Sequence, residues 1–310
     1  MSPTKGLDRR FSDSFLERGM DKQTELRIVR RAYAKQILAA AGVRNSRIET
    51  AYAEVGREDY LNPGPWQIFR WWSGADLPTP DADPVYVYTN DVIEIDPKRR
   101  INNGEPAFHA HLIASALPRQ GEHVVHIGTG LGYYTAILAH LVRPTGHVTG
   151  IEFEADLASR AKVNLAAVPN VDIVQGDGTV ISFETADVIY VNAGATQPAE
   201  AWLDRLKEGG RLILPLTTEY GFTAGRSAKQ VSESGVVFRI ERRGADFLAK
   251  SISTVAIFPC VGGRNSVAEA ELSASLAKGR RDEVTRLYRH GDIPDERCWL
   301  RGPHWCLAYS

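Results

Sequence analysis

In the segment Gly128-Thr129-Gly130-Leu131-Gly132 glycine alternates with other residues, and a carboxylate, Glu152, follows 22 residues after Gly130. Glycines lack Cβ atoms, so they permit a sharp turn and let the backbone lie against a ligand, while N–H groups at the start of a following helix hold an anionic group. An acid about 20 residues further on is what ribose hydroxyls require. Dinucleotide sites favour G-x-G-x-x-G. Here the third glycine comes one residue early and bulky Tyr133 stands in its place, which leaves less room for a pyrophosphate. A further turn, Gly176-Asp177-Gly178, sets a carboxylate between two small residues and suits an adenine edge. The chemistry implied is the binding of one adenosyl group. S-adenosylmethionine fits, with its carboxylate at the amides after Gly128, its ribose at Glu152 and its adenine at the Asp177-Gly178 turn.

Positioning these residues falls to a regular alternation of helix and strand that begins at Ala107, the signature of a parallel sheet with crossover helices. The pattern predicts strands over 123–127, 147–152, 171–174, 186–191 and 211–214, and helices over 107–116, 133–142, 155–166 and 198–206. The glycine loop, Glu152 and Asp177 then fall at the carboxyl ends of the first three strands, where doubly wound sheets bind ligands. Upstream, Leu26, Val29, Tyr33, Ile37 and Ala40 recur three or four apart and predict an amphipathic helix over 22–41, stopped by Gly42. A second helix is expected over 45–54, then a proline-broken surface connection with a strand or hairpin over 85–95. Trp66, Phe69, Trp71 and Trp72 of that connection are read as covering the core, with a pocket-lining role left open. Downstream, 221–242 and 251–258 are β-rich and expected as antiparallel strands at the far edge, while 268–277 and 283–289 look helical. The expected fold class is thus α/β: a doubly wound, mostly parallel seven-stranded sheet of Rossmann-like type. It divides into an N-terminal region (1–106), a cofactor-binding domain (107–263) and a C-terminal extension (264–310).

Further segments carry a family resemblance. Val55-Gly56-Arg57-Glu58-Asp59-Tyr60, Ile127-Gly128-Thr129-Gly130-Leu131-Gly132-Tyr133-Tyr134-Thr135-Ala136, Gly150-Ile151-Glu152, Gly176-Asp177-Gly178, Ala186-Asp187-Val188-Ile189, Leu206-Lys207-Glu208-Gly209-Gly210-Arg211-Leu212 and Phe258-Pro259-Cys260-Val261-Gly262-Gly263 follow one another in order. The chain from about 27 to 263 resembles the protein-L-isoaspartate (D-aspartate) O-methyltransferase family of class I methyltransferases. The resemblance implies S-adenosyl-L-methionine as cofactor, S-adenosyl-L-homocysteine as product, and a carboxylate of a protein or peptide as methyl acceptor. The implied cofactor residues are His126, Gly128, Thr129, Gly130, Gly132 and Tyr133 around the loop. Glu152, Phe153, Asp177 and Gly178 follow at the next two strand ends, with Asn192 and Ala193 after the fourth. Asn102, Asn103, Gly104, Glu105, His109 and Thr196 are the substrate-side candidates. Two departures stand out. Gly104 replaces the serine of the family's substrate-side motif, so Asn103 or Glu105 either supplies a polar contact instead or belongs to an Asn-Gly turn. His126 stands where the family has an acidic residue, and either bonds the methionine part of the cofactor or fills the strand end.

Methyl transfer from a sulfonium is an in-line displacement, and a carboxylate acceptor is already ionised at neutral pH, so no general base is required. Other acceptors, a peptide aspartate or a small-molecule acid, fit the same chemistry; a non-catalytic cofactor-binding protein and, more remotely, a nicotinamide-dependent dehydrogenase are the competing classes. Bulk properties narrow the rest. A net charge of −1 over 310 residues supplies no field for nucleic acid or anionic lipid. No stretch reaches the ~20 apolar residues of a membrane span, and no secretory signal is evident, so a cytoplasmic protein without nucleic-acid or membrane partners is expected. Three cysteines, an odd number, predict thiols in a reducing compartment. His109 and His111 face different ways on a helix, and Cys298, His304 and Cys306 lack a ligand spacing, so no metal is expected. Monomer and homodimer remain equally open.

Overall fold

The computed structural model describes residues 21–70, 74–218, 234–289 and 293–309. Trp71, Trp72 and most of the predicted strand over 221–242 therefore lie outside the described residues.

Two helices open the fold. The first, α1 (Lys22–Ala40), starts where the Asp21 carboxylate accepts the Thr24 amide at 3.0 Å, and buries Tyr33, Ala34, Ile37 and Leu38. The second, α2 (Ser46–Glu54), is capped the same way by Asn45. The connection after them is more ordered than its prolines suggested. It folds into a small antiparallel sheet of four strands, β1 (Gln67–Arg70), β2 (Ala75–Pro78), β3 (Val92–Asp96) and β4 (Ile101–Asn102), in the order β2-β1-β3-β4. The strand expected over 85–95 is shorter, because Asp83 caps a 3-10 turn that begins at Pro84 and the extended segment starts only at Val92. Trp66 covers the core as expected, its indole nitrogen donating to the Asn62 carbonyl at 2.7 Å.

The doubly wound unit follows as α3 (Pro106–Ala116), β5 (His123–Ile127), α4 (Tyr133–Val142), β6 (His147–Glu152), α5 (Ala155–Asn164), β7 (Val171–Gln175), β8 (Ala186–Val191), α6 (Glu200–Asp204) and β9 (Leu206–Thr217). Strands β7, β6, β5, β8 and β9 pair in parallel in that spatial order. Adjacent residues serve opposite faces: Val124 joins the apolar cluster under α1 to α5, and Val125 the one that holds Trp202 of α6. Burial on both faces is what makes these strands continuous apolar runs.

Antiparallel strands β10 (Gly235–Arg243) and β11 (Asp246–Thr254) extend the sheet beyond β9. After α7 (Ser266–Lys278), three more strands join: β12 (Val284–Arg289), β13 (Cys298–Arg301) and β14 (Trp305–Tyr309). Among the described residues the sheet therefore has ten strands, ordered β13-β14-β12-β11-β10-β9-β8-β5-β6-β7, rather than seven. The helix expected over 283–289 is strand β12. Its apolar spacing suits either period, and the hydrogen-bonding edges of β11 and β14, distant in sequence, decide for the strand. The thiol expectation fails at the same place. Cys298 and Cys306 lie on neighbouring strands with Cα atoms 6.0 Å apart and form a disulfide, while Cys260 stays free and buried. Among the described residues no helix is long and apolar enough to cross a membrane, and no metal-holding group of His, Cys, Asp or Glu occurs.

Candidate active site

β5 runs between β6 and β8, and the chain leaves it toward β6 on one side before crossing back to β8 on the other. The fork at their carboxyl ends is the switch point at which open sheets bind ligands. Gly128 sits in this fork at φ +81°; a Cβ there would lie 3.0 Å from the Asn192 carbonyl oxygen. Both neighbouring strands hold the bend. The Gly128 amide donates to Ile151 O at 2.9 Å, and the Asn192 amide donates to Ile127 O at 2.8 Å. Gly130, at φ +58°, has open space where its side chain would be.

Glu152 ends β6, mostly buried, against this loop. Its Oε2 accepts the Gly130 amide at 2.7 Å and its Oε1 the Glu154 amide at 3.0 Å. Burial pushes its carboxyl above the ordinary glutamate value, against the opposing pull of those amides. Each oxygen keeps a second lone pair for a hydroxyl donor.

A cavity of about 660 Å³, counted with its open mouth, lies over these strand ends. Gly128, Gly130, Glu152, Phe153, Gly178, Asn192 and Ala193 line it. Seven residues expected to hold the cofactor thus meet at one wall. The glycines leave the cradle that Cβ atoms would fill, Glu152 offers acceptors, and Ile101, Ile127, Leu157 and Phe258 supply apolar surface. Such a donor and acceptor set fits an adenosyl nucleoside.

Other expected cofactor residues are placed behind the wall. His126 is fully buried, its Nδ1 2.8 Å from Thr135 Oγ1 and its ring edge-on to Tyr190. Its Nε2 has no partner, and burial holds the imidazole down to about 3, hence neutral. Of its two readings, filling the strand end describes it. Thr129 turns its hydroxyl toward the His126 carbonyl, Gly132 makes room for Leu165, and Tyr133 packs among Tyr52, Tyr60 and Tyr134. Asp177 Oδ1 accepts the Thr179 amide and hydroxyl at 2.8 and 2.7 Å.

The substrate-side candidates are likewise drawn into the fold. Asn102 Oδ1 accepts the Gly104 amide at 2.9 Å, so the side chain before the Asn103-Gly104 pair closes the turn. Asn103 Oδ1 accepts the Ile93 amide and an Arg57 guanidinium N–H, and Glu105 accepts from Asn90. Thr196 is fully buried; its hydroxyl accepts the Asn265 amide at 3.0 Å. The side-chain oxygens just described are thus engaged within the fold, whereas the Asn103 amide nitrogen is buried without a partner. His109 packs parallel to Tyr134 at 3.7 Å between ring centres and lies 2.7 Å from Tyr190 OH.

Sequence reasoning missed several walls of the cavity: Ile101, Glu154, Leu157 and the run Phe258 to Val261. That run resembled a family motif, yet its place emerges only where Gly194 donates to Phe258 O and Cys260 donates to Gly194 O, at 2.7 and 2.9 Å. The Cys260 thiol, pushed up to about 11 by burial, stays protonated. Nothing in the sequence marked Ile101 or Leu157.

A family model described as protein-L-isoaspartate(D-aspartate) O-methyltransferase matches residues 79–243, just over half of the chain. A protein-L-isoaspartate O-methyltransferase of Ignicoccus hospitalis is 34% identical over 160 residues, covering 50% of this chain and 70% of that protein. One of Methanococcus aeolicus is 28% identical over 198 residues, covering 61% and 85%. Among solved structures, a protein-L-isoaspartate O-methyltransferase superposes with a TM-score of 0.59 at 23% identity, covering 84% of this chain and 74% of that one. A putative enzyme of that kind from Plasmodium falciparum, in complex with S-adenosyl-L-homocysteine, gives 0.57 at 16% identity, covering 74% and 97%. These two likenesses show the fold. The extent of the sequence matches shows the family, and the chain belongs to the protein-L-isoaspartate (D-aspartate) O-methyltransferases, a family of S-adenosylmethionine-dependent methyltransferases.

Proposed function

We propose that the protein transfers a methyl group from S-adenosylmethionine to a carboxylate of a protein or peptide, with an isoaspartyl residue as the acceptor. The observation that carries this reading is the convergence of Gly128, Gly130 and Glu152 on one cavity at the switch point of the sheet. When bound, the cofactor supplies the electrophilic methyl; the chain supplies position. The Gly128–Gly130 bend accommodates the ligand's closest approach, Glu152 accepts from the ribose hydroxyls, and the Phe258–Val261 run excludes water from one side. The loop after Ile101 carries the acceptor side, since Tyr134 at the start of α4 donates to Gly104 O at 3.3 Å and so ties that loop to the cofactor turn. A carboxylate acceptor arrives ionised, so the transfer requires no general base at the cavity.

Incubation with isotope-labelled cofactor and an isoaspartyl peptide, followed by release of base-labile methanol, tests the reading. Label above that of a peptide with ordinary aspartate is expected. A protein that binds S-adenosylhomocysteine but labels neither peptide rejects it. Gly104 favours a second reading within the same chemistry, an aspartate in a modified peptide or a small-molecule acid, and label on such an acceptor alone selects it.

A further inference from the structure

Gly104 is the residue that departs from the family's substrate-side serine, and the space of its absent side chain is not empty. An ideal Cβ on Gly104 would stand 2.4 Å from His109 Nε2 and 2.9 Å from His109 Cδ2. The imidazole, one helical turn into α3, therefore presents a nitrogen within a bond length or two of where a side chain at 104 would offer its own polar atom. Gly104 adopts φ +73°, so the loop is shaped around that ring.

The ring's hydrogen-bonding partners fix which nitrogen carries the proton. Tyr190 is fully buried in β8, and a buried phenol keeps its proton and needs an acceptor for it. His109 Nδ1, 2.7 Å away, is placed to be that acceptor. With Nδ1 accepting and burial holding the imidazole neutral, the single ring proton belongs on Nε2. Stacking on Tyr134 fixes the plane of the ring, and Nε2–H points at the Gly104 position. A carboxylate has only acceptors to offer, so a fixed N–H at this point is the complement it needs.

We propose that His109 Nε2–H is the donor that holds the acceptor carboxylate, taking over at residue 109 the contact that a serine at 104 would make, with Tyr190 as the positioning residue that selects the donating tautomer. The inference rests on the carboxylate-methylation reading above and adds to it the group that recognises the acceptor.

Three variants and one spectroscopic measurement test it. His109→Leu keeps bulk and removes the donor: acceptor KM rises by about 10- to 100-fold, the range for losing a hydrogen bond to a charged group, with S-adenosylhomocysteine affinity unchanged. His109→Gln returns an N–H at similar reach and recovers most of that loss. Tyr190→Phe releases the tautomer and raises KM by about 3- to 10-fold, the worth of a neutral hydrogen bond. A folded His109→Leu protein with wild-type acceptor KM overturns the proposal. Nitrogen NMR of histidine-labelled wild type, with the His109 signal assigned by its loss in His109→Gln, reads the tautomer without any acceptor or any leucine variant. An Nε2–H imidazole is expected, and an Nδ1–H imidazole overturns the proposal. A wild-type protein that shows the Nε2–H tautomer yet fails to methylate isoaspartyl peptide rejects the acceptor assigned earlier and leaves this contact standing.

Discussion

Glu152 and Thr196 both follow closely on the end of a parallel strand, and the sequence marks both as ligand residues. Glu152 keeps its carboxylate on the cavity wall. Thr196 accepts the Asn265 amide with its hydroxyl and is fully buried. The same division separates the whole cofactor wall from the acceptor wall. The first is backbone bent at glycines around one acid. The second draws on segments distant in sequence, with Asn103 Oδ1 accepting the Ile93 amide and Thr196 Oγ1 the Asn265 amide. A residue type predicts a ligand contact only where the surrounding fold does not need that group first.

The largest expected effect falls on the anchor of the acceptor wall. Arg57 is fully buried, and its guanidinium donates to Val87 O, Thr89 O and Asp91 O at 2.6, 2.8 and 2.8 Å and to Asn103 Oδ1 at 3.2 Å. Arg57→Met strands three carbonyl oxygens, and chemical denaturation should register a loss of about 3–5 kcal/mol. A stability change below about 1 kcal/mol would mean that the acceptor wall does not depend on this side chain. On the cofactor wall Gly128→Val drives a branched side chain into the Asn192 backbone at a positive φ. Calorimetry should find S-adenosylhomocysteine affinity reduced by roughly 100-fold or more, a change of about 3 kcal/mol.

Glu152→Ala comes next, with about 1.5–3 kcal/mol of cofactor affinity lost as hydrogen bonds to a charged group disappear. Its pH dependence sharpens the assignment. Burial raises the Glu152 carboxyl above its ordinary value, and the ionised form accepts the ribose hydroxyls, so affinity is full at neutral pH and declines on acidification earlier than for an exposed glutamate. In the ligand-free protein the same raised value works in the other direction, lending stability at low pH that is lost as pH rises through the folded pKa. A Glu152→Gln protein with an undiminished acid decline would place the titrating group elsewhere. The smallest effect is that of Thr196→Val. Losing the hydroxyl that Asn265 N–H donates to should cost about 1–2 kcal/mol of stability, and acceptor KM should stay at its wild-type value. A raised KM in a stable Thr196→Val protein would return Thr196 to the ligand and dissolve the comparison.

The parallel unit was legible because its signals are local. A strand buried on both faces is a continuous apolar run, a glycine loop marks its end, and β5, α4, β6 and β8 begin and end where the periodicity places them. The C-terminal part was not. Residues 283–289 read as a helix, yet β11 and β14 draw Val284–Arg289 into a strand, and Cys298 with Cys306 read as thiols until β13 and β14 became neighbours.

From the sequence alone came the fold class, the cofactor and the glycine-acid pair that meets on the cavity wall, because short apolar periods and missing Cβ atoms act within a few residues of where they are written. Only the tertiary structure decided what each polar group meets: Asn103, Thr196 and His126 are bonded or enclosed within the fold, and His109, itself buried, is brought under Gly104. Whether a side chain meets a ligand depends on what else reaches it first, and that is settled by packing between distant elements.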